Sequence, residues 1–454
     1  MKLFQIFFFI FSFFQFIYSS ETHLKIDEQN QNQSKNTEWV EIETNDLKEG
    51  TKTIEQQKIR EEFSKKKSTL ELQKWVGNPL GLDIHGYLQN SYTSIPFHKA
   101  DSSNRNFFLY PNRLPNSFQG NQYYLVVEKN NSDKLYDIGF RVDFLYGNDW
   151  EFTKSYGLFD NRFKSGSFNG YDIPQAYLDL RFQIFSKKIS LLLGRFYNPG
   201  DYEGKMAIKR PLFSSSYMIN STPFSFLGAL STISWYTNFN FLFGVVNGSD
   251  RYWNSKYKPG IISGISYSIG NKLLIKSIQF VGPNQLPYFP GVNEQNLPIT
   301  VRTSPEVQWL PNSGYSRNLR FYSSNVLSWK ISNQWKISKE LSLNYDENTP
   351  LTRNRYFSQN THWKSVGAWL YYDFKGNQEF TIIKRVEMFS DYQGAVTKLA
   401  GRYLGLTLGM AWKPSERFWF RPELRYDRSL NDLAFQELSR SYRYSFAFDF
   451  FLFF

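Results

Sequence analysis

The stretch SYRYSFAFDFFLFF, residues 441–454, alternates almost without interruption. Tyr442, Tyr444, Phe446, Phe448, Phe450, Leu452 and Phe454 share one parity. Arg443, Ser445, Ala447 and Asp449 share the other, joined near the end by Phe451 and Phe453. A strand sends successive side chains to opposite faces, so one face here is an apolar ridge and the other carries both signs of charge. In a soluble sandwich such a ridge packs on a second sheet. In a membrane barrel it meets lipid, and the charged face lines the interior. This stretch alone leaves both open.

Composition narrows the choice. Aromatic residues make up 19% of the 454, with 44 Phe and 30 Tyr, yet the mean hydropathy is negative. A helical membrane protein needs apolar runs of roughly 20 residues. A barrel needs apolar side chains only at alternate positions. The chain has no Cys, which excludes disulfides, thiolate metal sites, Cys nucleophiles and a lipid-bearing Cys.

Residues 1–20, MKLFQIFFFIFSFFQFIYSS, begin with Lys2, continue in Phe and Ile, and close on Ser19 and Ser20. They read as a cleaved secretory signal peptide. Residues 21–77 contain only Trp39, Phe63 and Trp75 as aromatics, and predict a polar periplasmic segment, partly helical over 54–76. The positive excess of a chain with formal net charge +12 falls in residues 78–454.

From Leu82 onward the pattern is strand after strand. Candidates are 82–92, 122–129, 135–145, 173–182, 188–197, 226–236, 239–247 and 260–269. They continue at 272–281, 318–337, 341–348, 363–374, 379–389, 398–412, 418–428 and 440–454. Short turns such as NNSDK (130–134), TN (237–238), GN (270–271), SKE (338–340), KGNQ (375–378) and KPSER (413–417) alternate with longer connections. The longest are 93–121, 146–172, 198–225 and 282–317. Outer-membrane barrels alternate in this way, with short periplasmic turns, long extracellular loops and an even strand count.

Individual strands agree. In 136–144, Tyr136, Ile138, Phe140, Val142 and Phe144 oppose Asp137, Gly139, Arg141 and Asp143. In 418–427, Phe418, Phe420, Pro422, Leu424 and Tyr426 oppose Trp419, Arg421, Glu423, Arg425 and Asp427. The face opposite the apolar one is ionic or small, the reverse of what a sandwich core needs. The reading is therefore all-β: a closed antiparallel transmembrane β-barrel of about 16 strands in residues 78–454.

Within 174–236, PQAYLDLRF, ISLLLGRFYNPGDYEG and RPLFSSSYMINSTPFSFLGALSTISW resemble the OmpL-like family of outer-membrane β-barrel porins. The matching positions run from Gln175, Ala176 and Tyr177 through Gly194, Arg195, Phe196, Tyr197, Pro199, Gly200, Tyr202 and Glu203. They continue at Pro211, Phe213, Ser214, Ser216, Tyr217, Pro223, Phe224, Gly228 and Ala229. Ser215 stands where the family usually has His. The resemblance implies an outer-membrane location, and a terminal aromatic, Phe454, read by the outer-membrane assembly machinery.

It also implies that the 198–225 connection folds inward as a constriction. Asp201, Glu203, Lys205, Lys209 and Arg210 would then face wall residues. The candidate pore-lining set is Arg141, Asp143, Asp179, Arg181, Arg195, Arg421, Glu423, Arg425 and Asp449. A loop lying on the outer surface is the other reading of the same residues.

A ring this wide leaves room for an aqueous path, so passive diffusion of small hydrophilic solutes is expected, with an anion preference if the cations line it. A surface adhesin or receptor with a narrow or plugged barrel is the alternative. A hydrolase fits poorly. His23, His85, His98 and His362 are the only histidines, and there is no Gly-x-Ser-x-Gly elbow. Asp83 and His85 share a parity on the first strand, where a polar interior pair explains them. No cofactor, catalytic or metal site is expected. The partners are outer-membrane lipid and solute, with monomer and homotrimer both open. Nucleic acid is a poor partner, because the positive charge is dispersed rather than gathered.

Overall fold

Hydrocarbon offers no hydrogen-bond partner, so strands facing lipid must satisfy every backbone group on one another, and only a ring has no edge. The computed structural model describes residues 81–96, 115–130, 136–153, 155, 158, 169–252, 259–283, 319–350, 358–397, 399–435 and 440–454. In them the chain forms one closed antiparallel barrel of sixteen strands. Residues 1–80, with the expected signal peptide and polar segment, and most of the 93–121 and 282–317 connections lie outside the described residues.

The strands are β1 (Asp83–Ser94), β2 (Ser117–Lys129), β3 (Asp137–Gly147), β4 (Gly170–Ile184), β5 (Lys187–Tyr197) and β6 (Ser225–Tyr236). Next come β7 (Phe239–Ser249), β8 (Gly260–Ile269), β9 (Leu273–Pro283), β10 (Leu319–Lys330) and β11 (Trp335–Pro350). The ring finishes with β12 (Ser358–Asp373), β13 (Phe380–Asp391), β14 (Gly401–Ser415), β15 (Phe418–Ser429) and β16 (Tyr442–Phe453). Each strand pairs with its sequence neighbours, and β1 pairs with β16. Short helices α1 (Trp150–Thr153) and α2 (Tyr217–Ser221) lie in two connections.

Even the shorter strands suffice to span a membrane. The 11 residues of β3, at about 3.3 Å each and a tilt of about 40°, rise about 28 Å, against an apolar band of about 25 Å. The faces sort by parity. On β3, Ile138 and Phe144 are exposed while Arg141 and Asp143 are buried. On β16, Tyr444, Phe446 and Leu452 are exposed while Arg443, Asp449 and Phe451 are buried. Lys339 and Lys384 interrupt the outer face. Their registers place them opposite Ala368 and Leu370 of β12, and long stems let such side chains reach the polar interface.

One turn differs from expectation. The sequence suggests a reversal at SKE (338–340), but the chain turns at 331–334 and β11 runs straight through that tripeptide. Ser332 Oγ accepts from the Gln334 and Trp335 amides and fixes the turn. Ser338 and Glu340 face inward, where Ser338 meets Ser328 at 2.9 Å and Glu340 accepts from Ser324 at 2.6 Å. A polar triplet signals a turn when polar means solvent. Here polar also means interior.

Ring closure depends on a close approach. The Gly86 amide donates to Phe454 O at 3.0 Å, and the Phe454 amide donates to Gly86 O at 3.1 Å. Tyr87 stacks on Tyr124 at 5.2 Å beside this seam. A Cβ at Gly86 would lie 2.3 Å from Tyr124 O and 2.6 Å from Phe454 Cζ. Gly86→Val is therefore expected to weaken the barrel by about 2 kcal/mol or more. Its heat-modifiable folded band on cold SDS gels should be lost at a lower temperature than wild type, and an unshifted transition would remove Gly86 from the closure.

Candidate functional site

After β5 the chain enters the ring. Residues 198–224 bond to inward side chains on the far walls, and the wall carboxylates accept loop amides. Tyr202 N–H donates to Glu340 of β11 at 3.0 Å, Ser214 N–H to both oxygens of Glu423 of β15 at 3.1 Å, and Tyr217 N–H to Glu387 of β13 at 2.6 Å. Wall cations take loop carbonyls. Lys276 of β9 reaches Pro199 O at 2.8 Å, Arg385 of β13 reaches Ser214 O at 2.7 Å, and Arg425 of β15 reaches Ser215 O at 3.1 Å. Arg421 holds Ala207 O at 3.2 Å and also bonds Arg210 O. A loop without regular hydrogen bonding thus has its backbone groups answered by the wall, as burial requires.

Apolar side chains of the loop act as pegs. Met206 and Ala207 enter a buried cluster with Tyr87, Tyr124, Val126 and Phe451. Tyr202 packs on Trp369 at 4.7 Å between ring centroids. Leu212 lies with Ile383 and Ala411, and Tyr217 with Trp363, Phe389 and Tyr403. Gly409 makes room for Leu212, since a Cβ there would lie 2.3 Å from Leu212 Cδ2. The barrel's hydrophobic core is therefore partly supplied by this connection.

The wall residues singled out from sequence fall into four groups. Arg141 pairs with Glu128 at 2.9 Å and Asp143 at 2.7 Å, and Asp143 also accepts from Tyr124 and Gln175. Asp179 and the half-buried Arg181 pair with each other at 3.1 Å on β4, apart from the loop. Arg195 is taken up by Asp172 at 2.9 Å and by the carbonyls of Ile173 and Thr153. Arg421, Glu423, Arg425 and Asp449 are brought together under the loop. Arg421 bridges to Asp449, and Arg425 to Asp427 at 2.8 Å and Glu387 at 2.9 Å.

Asp201, Glu203, Lys205 and Arg210 are each held. Asp201 and Lys205 pair at 2.6 Å within the loop, and Asp201 accepts from Tyr322 at 2.6 Å. Arg210 reaches Asp149 at 3.4 Å. Glu203 accepts from Arg385 at 2.9 Å, Trp369 Nε1 at 3.1 Å and the Ser216 amide at 2.8 Å. Burial alone would push the Glu203 carboxyl up. The Arg385 guanidinium and the Ser216 donors outweigh it and hold the group below the ordinary carboxylate value. Lys209 lines a cavity of about 350 Å³ at the short-turn end, roofed by the loop.

Arg385, Glu387 and Glu340 are as central as any of these, yet the sequence reading passed over them. In β13, Lys384 on the outward parity puts a cation beside Arg385, which blurs the two faces. Glu340 was hidden in the misplaced turn. Among the described residues, Asp83, His85 and Glu128 bring ligand atoms within 4.8 Å of one another. Glu128, however, is engaged by Arg141, so the group reads as polar wall.

Glu203→Gln leaves a buried guanidinium with one carboxylate fewer, although Glu387 still lies 3.2 Å from Arg385. The loop should loosen by about 3 kcal/mol, read as faster hydrogen exchange of amides in 198–224. Because the folded carboxyl titrates below its unfolded value, this contribution is present at neutral pH and is lost as pH falls through the folded value, on the acid side of the ordinary carboxylate range. Wild-type loop amides should therefore lose protection in that acidic window, and unchanged protection in both experiments would mean Glu203 does not hold the loop.

Solved structures similar in fold include outer-membrane porins. The chain is similar to OprB of Pseudomonas putida (8% identity, TM-score 0.52, covering 84% of this chain and 97% of that one). It is also similar to an anion-selective porin from Comamonas acidovorans (11% identity, TM-score 0.50, covering 82% and 99%). The outer membrane channel DcaP of Acinetobacter baumannii aligns at 8% identity and TM-score 0.49, covering 82% and 97%. Among curated proteins none matches the chain in sequence. A family model does match residues 81–454, and with that span of barrel the protein belongs to the family described as "Putative beta-barrel porin-2, OmpL-like".

Proposed function

We propose that this protein is an outer-membrane porin through which small hydrophilic solutes diffuse passively, with a preference for anions and without enzymatic chemistry. One observation carries the reading: a closed sixteen-strand ring whose outside is apolar and whose inside is ionic. Family membership supports it. In this proposal the loop 198–224 is the constriction, the nine wall residues named from sequence line the path or brace the loop, and residues 1–20 direct export. Residues 21–77 then remain in the periplasm. Anion preference is supported by the lysines facing the short-turn cavity.

The density of bonds between loop and wall favours a second reading, a plugged barrel serving as a surface receptor. Planar-bilayer recordings of the refolded mature chain separate the two. Steady conductance steps are expected, with a reversal potential displaced toward that of the anion in a KCl gradient. Lys209→Glu should move that potential toward the cation side, and an unmoved value would take Lys209 out of the path. A membrane that stays silent at every voltage, with folded protein inserted, would favour the plugged receptor.

A further inference from the structure

On β8, β9 and β10 the outer face carries polar side chains at a depth where lipid contact calls for apolar ones. Lys276 reaches Pro199 O and Tyr322 reaches Asp201 of the inward loop, so the even positions of β9 and β10 face inward. Ser277 and Gln279 of β9 and Ser323 and Asn325 of β10 therefore face out. Gln279 lies opposite Ser323 on one side and Ser263 of β8 on the other, and Ser277 lies opposite Asn325. The rows flanking them are apolar: Ile261, Val281 and Phe321 toward the long connections, Tyr267, Ile275 and Leu327 toward the short turns. The five polar residues thus form an island at mid-span. Elsewhere the outside shows side chains such as Leu178, Phe243, Leu406 and Phe446.

A relay of hydrogen bonds crosses the island. Gln279 Nε2 donates to Ser277 Oγ at 2.7 Å, Ser277 Oγ to Asn325 Oδ1 at 2.7 Å, and Asn325 Nδ2 to Ser323 Oγ at 3.1 Å. The relay leaves capacity over. Among the described residues nothing donates to Gln279 Oε1, and the Ser263 hydroxyl has no hydrogen-bond partner. Hydrocarbon answers neither, and leaving a polar group unanswered there is costly. Outward lysines escape by their long stems. A serine or a mid-span amide has no such reach, and headgroups lie about 12 Å away, half of an apolar band about 25 Å tall.

We propose that this island is the contact face for a second copy of the chain, docked patch to patch about a two-fold axis along the membrane normal. Three features select that occupant. An amide offers donor and acceptor together, so Gln279 and Asn325 complement their own counterparts. A second copy carries its island at the same depth by construction, which a lipid does not. The three serines are small enough for two barrel walls to approach closely, as membrane helices do through Ser and Gly, while the apolar rows above and below close the contact against lipid. A two-fold contact sets the patch against itself and is complete at two copies. The inference needs only the barrel in its membrane, and it holds whether or not the barrel conducts.

The chain has no Cys, so an introduced thiol stands alone. Oxidising membranes that carry the full mature chain with Gln279→Cys or Ser263→Cys should give a disulfide-linked dimer, whereas Leu178→Cys, on the outer face of β4, should not. Only a two-fold contact brings a residue near its own counterpart, so the result also separates this face from a head-to-tail ring. Gln279→Leu combined with Asn325→Leu suits lipid and should keep the heat-modifiable folded band. In sedimentation equilibrium in detergent it should raise the dimer dissociation constant about tenfold or more over wild type. Should that double variant not fold, the single thiols decide alone. No dimer from either thiol, equal crosslinking at Leu178→Cys, an undiminished dimer in the folded double variant, or capture of a different protein at Gln279→Cys would each overturn the assignment.

Discussion

The absence of any hydrogen-bond partner in hydrocarbon governs this molecule. It forces the strands to answer one another around a full ring, and the Gly86–Phe454 bonds close the last gap. Closure then fixes polarity. With lipid on one side, a charge at mid-depth on the outer face costs about 2–4 kcal/mol, so Arg141, Asp143, Arg385, Arg421, Arg425 and Asp449 turn inward. An apolar outside and an ionic inside are two consequences of one solvent.

An ionic inside creates its own difficulty. Buried guanidiniums and carboxylates need partners, and a buried ion pair is weak evidence for stability, since desolvation offsets most of the attraction. The loop 198–224 resolves this by offering backbone amides to Glu340, Glu387 and Glu423 and carbonyls to Lys276, Arg385, Arg421 and Arg425. Breaking one member strands the others. The network therefore specifies where the loop sits more than it stabilises the barrel. The apolar pegs Tyr202, Met206, Leu212 and Tyr217 supply the burial that favours the inward position.

Strand number, order and faces were legible because period-two alternation and lipid contact act on every strand alike. The turn at 331–334 was not, because Ser338 and Glu340 carry the same polarity whether they face water at a turn or the interior. The loop's family motif was visible, but its partners lie more than a hundred residues away: Tyr217 meets Glu387 and Asp427, and Glu203 meets Trp369 and Arg385. Local pattern holds no record of such distances. Nor does it show that Phe451, aromatic on a charged parity, belongs to the cluster receiving Met206 and Ala207. Turn geometry is similarly hidden: Phe185 and Ser186 adopt φ of 47° and 60° in a two-residue reversal with no glycine.

Along the ring axis, charge is arranged in two regimes. At the level of the loop, opposite signs are interleaved at hydrogen-bond distance, so their fields largely cancel beyond a few ångströms. At the short-turn end, lysines outnumber carboxylates and Lys330 faces Lys336 across one ladder. The frame at the loop is thus nearly neutral and tightly bonded. The turn-side cavity is lined by more cationic than anionic side chains, and low-dielectric walls focus such a field. Interlocked packing at the loop and an excess of cations at the turn-side rim are thus set at different levels of the ring. A change at Leu212 or Gly409 would alter the packing of loop on wall, whereas a change at Lys330 would alter the field without touching the loop.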